Sequence, residues 1–283
     1  MSRFSNILVH VDSRAATHPA LDCAADLAKA NHGRLTIVDV VPDFGWRSRL
    51  ILGGYERALE NVTQGKSKLL KELATPLTQQ GIDVTTKLLD GHTSVEIIRL
   101  VMKDGHDLVV KSAKGQHSQQ TGFFGTTATR LIRKCPCPVL ILKSDCPRHC
   151  GRVVAAVKPA PDDETHAQLN ARIIRAARKL TSTGEPHVIS VWNIYGESIL
   201  RDHMQEAEFQ ELEERTEKHA ARNLEQLLEP FGMSAEADNI HLMRGEPGHC
   251  IPQFVEQQEA DLLVLGSVGR TGVAGLLIGN TAE

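Results

Sequence analysis

Short apolar runs recur along the chain, and most are followed by a longer segment with apolar residues at helical spacing. The first run, residues 7–11 (Ile7, Leu8, Val9, His10, Val11), ends at Asp12. An Ala-rich amphipathic stretch over 19–30 follows and stops at Asn31, His32 and Gly33, a helix-ending combination. Further strands are predicted at 35–41, 84–89, 108–111 and 139–142. Between them, helical spacing runs through Tyr55, Leu59, Val62, Leu69, Leu70 and Leu73, broken by Pro76 and Gly81. It returns after Gly91 through Val95, Ile97, Ile98, Leu100 and Val101, and a helix over about 127–134 precedes the last strand. Strands alternating with helices of this length predict βαβ units, hence a parallel sheet covered on both faces.

The second half repeats the plan. Runs at 153–157, 187–192, 240–243 and 262–265 read as strands, and a charged amphipathic stretch over 197–228 reads as one long helix. A glycine pattern fixes the register of the repeat. Gly266, Gly269 and Gly279, the last followed by Asn280 and Thr281, match Ser112, Gly115 and Gly125-Thr126 at a constant offset of 154 residues. Such a turn leaves a strand and opens a helix, so that backbone N–H groups converge on phosphate without Cβ atoms in the way. The expected domains are 1–145 and 150–283, joined by a short polar linker at 143–151. Only Ala282 and Glu283 follow Thr281, so if the copies are alike a last helix and strand of the second are expected in a tail missing from this sequence.

Composition narrows the function classes. A net charge of −3, with Lys and Arg scattered and no aromatic residues among them, gives no nucleic-acid surface. No apolar stretch is long enough to span a membrane, and the polar N-terminus runs straight into a strand, so the expected location is cytoplasmic. Four of the six cysteines (Cys135, Cys137, Cys146, Cys150) lie close together near His149. Their C-x-C-x8-C-x3-C spacing departs from zinc motifs, so no metal site is expected and packing is the simpler role.

The ordered combination of the strand ending at Asp12, the glycine loop and the Cys137-Pro138-Val139-Leu140 strand entrance resembles the universal stress protein family, twice over. The resemblance implies two tandem Rossmann-like α/β domains, each with a five-stranded parallel sheet of order 3-2-1-4-5. It also implies ATP at the carboxyl ends of the strands, with or without Mg2+, and pairing of the two copies as a pseudo-dimer, with a homodimer left open. The role it implies is a stress-response sensor or switch acting on an unknown protein partner. In the second copy the nucleotide residues would be Gly266, Gly269, Gly279, Asn280, Thr281, Val157, Lys158 and Val191. In the first they would be Asp12, Val40, Gly115, Gly125 and Thr126. Each copy departs from the family pattern. Lys158 stands where Asp12 stands in the first copy and cannot accept hydrogen bonds, and Ser112 replaces the first glycine.

No catalytic constellation is visible. The chain has no H-x-x-x-H or H-E-x-x-H pair, no G-x-S-x-G elbow and no Gly-Lys-(Ser/Thr) at either loop. At most, slow ATP hydrolysis is expected. The alternative is an interaction module that kept the fold without the nucleotide.

Overall fold

The computed structural model describes residues 4–42, 55–114, 124–143, 150–182 and 184–267. The chain divides into two compact units, Met1–Arg148 and His149–Glu283.

The first unit contains β1 (Asn6–His10), α1 (Pro19–Asn31), β2 (Arg34–Val41), α2 (Tyr55–Gln79), β3 (Asp83–Asp90), α3 (Thr93–Asp104), β4 (Leu108–Ser112), α4 (Thr126–Lys134) and β5 (Val139–Leu142). Its sheet is parallel, with strand order β3-β2-β1-β4-β5. The register sets Val9 beside Ile37 on one side and Val110 on the other. Alternate residues of the buried strands serve opposite faces. On one face Leu8, Val38 and Val109 pack with Ile97, Leu100 and Val101 of α3 and Leu131 of α4. Toward the other, α1 buries Ala20, Leu21, Ala24, Ala25 and Ala28, small residues that let the helix lie close on the sheet.

Gly33 shows how tight that return is. A Cβ there would stand 2.8 Å from the Phe4 carbonyl oxygen, so the chain from α1 to β2 passes against the start of β1 only as glycine. Asp107 fixes the same end of the sheet, its carboxylate accepting from the backbone N–H groups of Ser5 (2.7 Å) and Asn6 (3.1 Å).

The second unit runs β6 (Val153–Val157), α5 (Glu164–Leu180), β7 (His187–Trp192), α6 (Glu197–His203), α7 (Glu206–Leu228), a 3-10 turn at Glu229–Phe231, β8 (Ile240–Arg244), α8 (Pro247–Gln257) and β9 (Leu262–Leu265). Among the described residues its sheet has four strands, all parallel, in the order β8-β7-β6-β9. These match the first four strands of the first unit in both sequence and space. Asp261, 154 residues after Asp107, repeats its task and accepts from the N–H groups of Gly151 (2.8 Å) and Arg152 (2.9 Å).

Two expectations change. The stretch read as one helix over 197–228 is two, because the chain turns extended at Met204 and Gln205. Gln205 then caps α7 in a reciprocal box with Glu208. Pro76 does not break α2. It falls in the last turn, so its missing N–H removes one hydrogen bond only, and the helix ends three residues on at Gln79.

Candidate functional site

A cavity of about 840 Å3 opens in the first unit at the carboxyl ends of the strands. Its place follows from topology. The chain leaves β1 and β4 in different directions, toward α1 and α4, and open α/β sheets bind ligands where neighbouring strands diverge in this way. Asp12 and Arg14 line it from the segment after β1, Asp39 from β2, Lys66 from α2, Lys111 from β4, and Gly125 with Thr126 from the start of α4.

The charges are paired in part. Arg14 grips Asp12 through both side-chain oxygens, Nε to Oδ1 and Nη2 to Oδ2, each at 2.9 Å. Partial burial works against the Asp12 carboxylate, but the Arg14 side-chain and backbone hydrogen bonds outweigh it, and the pKa falls to about 2. Deeper in, Lys66 Nζ lies 2.8 Å from Asp39 Oδ2, with only 14% and 4% of the two side chains exposed. The Val40 N–H also donates to Asp39, at 2.7 Å.

Lys111 is different. It is 6% exposed, and its ammonium donates to the Ser112 carbonyl at 3.0 Å. No carboxylate among the described residues forms an ion pair with it. Burial lowers its pKa. His10 beside it is pushed down to about 3, first by burial and then by the Lys111 charge, so at neutral pH the imidazole is uncharged and this corner presents one cation.

The opening of α4 adds donors. Gly125 precedes the helix in extended conformation without a side-chain cap, so the first N–H groups have no intrahelical partner. The Gly125 N–H donates to the Ala113 carbonyl at 2.8 Å and anchors the helix start beside the end of β4. A buried ammonium next to uncapped helix N–H groups favours an anion.

The second unit disposes its residues otherwise. Val157 ends β6 and is buried, while Val191 on β7 packs against Ile251 and Phe254. The Lys158 side chain is exposed, and its backbone is held from both sides by Asn170 of α5, N–H to Oδ1 at 3.1 Å and Nδ2 to carbonyl at 2.7 Å. Gly266 follows β9 with Leu169 against it, 2.7 Å from where a Cβ would lie. Close packing of α5 is therefore one reason for a glycine there. Gly115, Gly269, Gly279, Asn280 and Thr281 lie outside the described residues.

Two sequence matches decide the family. The chain fits the universal stress protein family over residues 3–143 and again over 152–283. It belongs to the universal stress protein family. The coarse function is therefore the stress response, in a tandem form with two universal stress protein units. The chain is 28% identical to universal stress protein E of Photorhabdus laumondii, over 100% of this chain and 91% of that one. Universal stress protein E of Escherichia coli K12 is 27% identical over 100% and 90%. A solved structure of a functionally unknown protein from Pseudomonas aeruginosa PAO1 superposes with a TM-score of 0.71 at 25% identity, covering 98% of this chain and 86% of that one.

Within the first universal stress protein unit, the structure brings Asp12, Gly125 and Thr126 to one cavity, and Val40 sits buried beside Asp39 at the end of β2. Sequence reasoning missed His10, Arg14, Asp39, Lys66 and Lys111. A signal existed for three of them, since His10, Asp39 and Lys111 each interrupt an otherwise apolar strand close to its carboxyl end. Among the described residues, no group of three His, Cys, Asp or Glu side chains is placed to hold a metal, and no helix is long and apolar enough to cross a membrane.

Proposed function

We propose that this universal stress protein binds an adenine nucleotide, ATP foremost, and works as a sensor or switch whose bound nucleotide sets its contacts with a protein partner. The observation that carries the reading is the first-unit cavity, with the Lys111 ammonium and the uncapped start of α4 on one side and Asp12 on the other. Phosphate oxygens suit the former. A sugar hydroxyl suits the Asp12 carboxylate once Arg14, whose side chain is 62% exposed, turns away. Mg2+ would travel with the phosphates, because Asp39 is committed to Lys66 and Asp12 to Arg14 or, with nucleotide bound, to the sugar. The neutral, half-buried His10 makes a poor base for water, in line with a switch instead of a catalyst. In the second unit the glycine series ending in Asn280-Thr281 supports a further site on its sequence pattern alone. The reading includes a cytoplasmic location and intramolecular pairing of the two units.

The test is nucleotide content and affinity. Freshly purified chain is denatured and any released nucleotide identified by mass spectrometry. Mg-ATP is then titrated into wild type, Lys111→Met and Gly269→Val. Binding weakened at least about tenfold by Lys111→Met assigns the first unit, and by Gly269→Val the second. No released nucleotide and no binding below about 1 mM would leave an interaction module of the same fold.

A further inference from the structure

The C-x-C pair between α4 and β5 takes no part in the nucleotide reading, yet the fold holds it in a defined place. Cys135 caps the carboxyl end of α4, its N–H donating to the Leu131 carbonyl at 2.9 Å. Cys137 follows two residues later, and the next carbonyl, of Pro138, accepts from the Val109 N–H of β4 at 3.0 Å. Both flanks are thus anchored. Pro136 has its φ fixed near −65°, and a residue before proline, here Cys137, is confined to extended backbone. The outcome is that the two sulfurs meet at 3.6 Å, both half-buried against the Leu8, Ile97 and Leu131 core.

We infer that Cys135 and Cys137 form a redox-active dithiol that is oxidised reversibly to an intramolecular disulfide by low-molecular-weight disulfides of the glutathione type. The inference rests on this contact and stands whether or not the cavity binds a nucleotide. A lone half-buried thiol packs as a small apolar group. Two thiols already in contact need only a short closing movement, and i, i+2 spacing keeps the Cα atoms within the range a disulfide spans.

The chemistry closes without a further reactant. The hydrogen bond from Cys137 lowers the Cys135 thiol to about 7, whereas Cys137 is held protonated by the same contact and by burial. A thiolate with a pKa near ambient pH is the better attacking group. The Cys135 thiolate attacks one sulfur of the small disulfide. A bond forms between them, the small S–S bond breaks, and one thiolate departs and takes up a proton. Cys137 then gives up its proton and attacks the Cys135 sulfur, expelling the second small thiol. The protein has lost two electrons and two protons, and one disulfide has become two thiols.

The experiment uses the reduced full chain, oxidised glutathione and a rapid quench with an alkylating maleimide. Trypsin cleaves after Lys134 and Lys143, releasing a peptide that carries Cys135 and Cys137 and no other cysteine. The expected wild-type product is this peptide unlabelled and two hydrogens lighter, with both labels restored by dithiothreitol before the quench. Cys137→Ser halts the reaction at one glutathione on Cys135. Two maleimide labels, two separate glutathiones, or a bridge from either cysteine to Cys23, Cys146, Cys150 or Cys250 would overturn the inference.

Discussion

Replacing Lys66 with Met strips a buried carboxylate of its counter-charge. Asp39 is 4% exposed and Lys66 14%, at 2.8 Å, so the pair belongs to the interior. Breaking such a pair from one side costs about 3–5 kcal/mol, because the remaining charge stays out of water. Asp39 keeps two backbone donors, Val40 N–H at 2.7 Å and a longer one from Ser13 at 3.3 Å. Those bonds place the expected loss near the lower end, about 3 kcal/mol, or roughly a hundredfold in an opening equilibrium. Adding Asp39→Asn removes the stranded charge and should recover about 2 kcal/mol. A single melting point serves poorly in a two-unit chain, since the units need not unfold together. Native-state hydrogen exchange localises the effect. Amides of β2 should lose protection in Lys66→Met and regain most of it in the double variant, while β7 amides stay unchanged. A loss below about 1 kcal/mol, or a double variant no better than the single one, would refute the buried-pair account.

Two further outcomes follow from the geometry. His10 is shifted down to about 3 and His106 is lowered by burial, the latter with neither ring nitrogen hydrogen-bonded. A histidine with a depressed folded pKa binds its proton more readily when unfolded. Its contribution to stability is therefore complete above the unfolded value, about 6.5, and is lost as pH falls toward the folded one. Urea unfolding should show the first unit weakened by about 3 kcal/mol or more between pH 7 and pH 4, with a shallower profile in His106→Leu, and an unchanged slope in that variant would remove His106 from the account. In the second unit Gly245 has φ +141° and its added Cβ would sit 2.6 Å from Cys250 Sγ. Gly245→Ala should cost about 2–3 kcal/mol, of which Cys250→Ala recovers only the steric part; full recovery in the double variant would mean the backbone carries no strain.

The fold was legible wherever burial alone determines the residue pattern. Strands covered on both faces must be continuous apolar runs, and Ile7 to Val9, Leu35 to Val38 and Val153 to Val157 announce themselves in that way. Boundaries set by local hydrogen bonds were harder. The break at Met204-Gln205 rests on a Gln–Glu capping box, a weaker cue than a Ser or Thr cap. Helix α5, buried through Ile173, Ile174 and Ala177, drew no notice beside the more conspicuous charged segment after it. The cavity was half-visible. Asp12, Gly125 and Thr126 are expected from the family resemblance, but Lys66 lies on a helix among many surface Lys and Glu residues, and nothing local distinguishes it. Its importance comes from Asp39, 27 positions earlier, and only the fold brings the two together.

The two universal stress protein units show which parts of a repeat are free to diverge. Asp107 and Asp261 do the same work at the same offset, because each ties the start of the central strand to the loop before the fourth. At the opposite end of the sheets that constraint is absent. The segment after β1 is held by a side chain, Asp12 to Arg14, whereas the segment after β6 is held through its backbone by Asn170. Both solutions satisfy the chain, but they present different chemistry. The first sets a carboxylate into a cavity that also contains the buried Lys111, and the second turns Lys158 outward. The two units thus share the hydrogen bonds at one end of the sheet and differ in chemistry at the other. For that reason a shared family pattern does not make the two units equivalent sites.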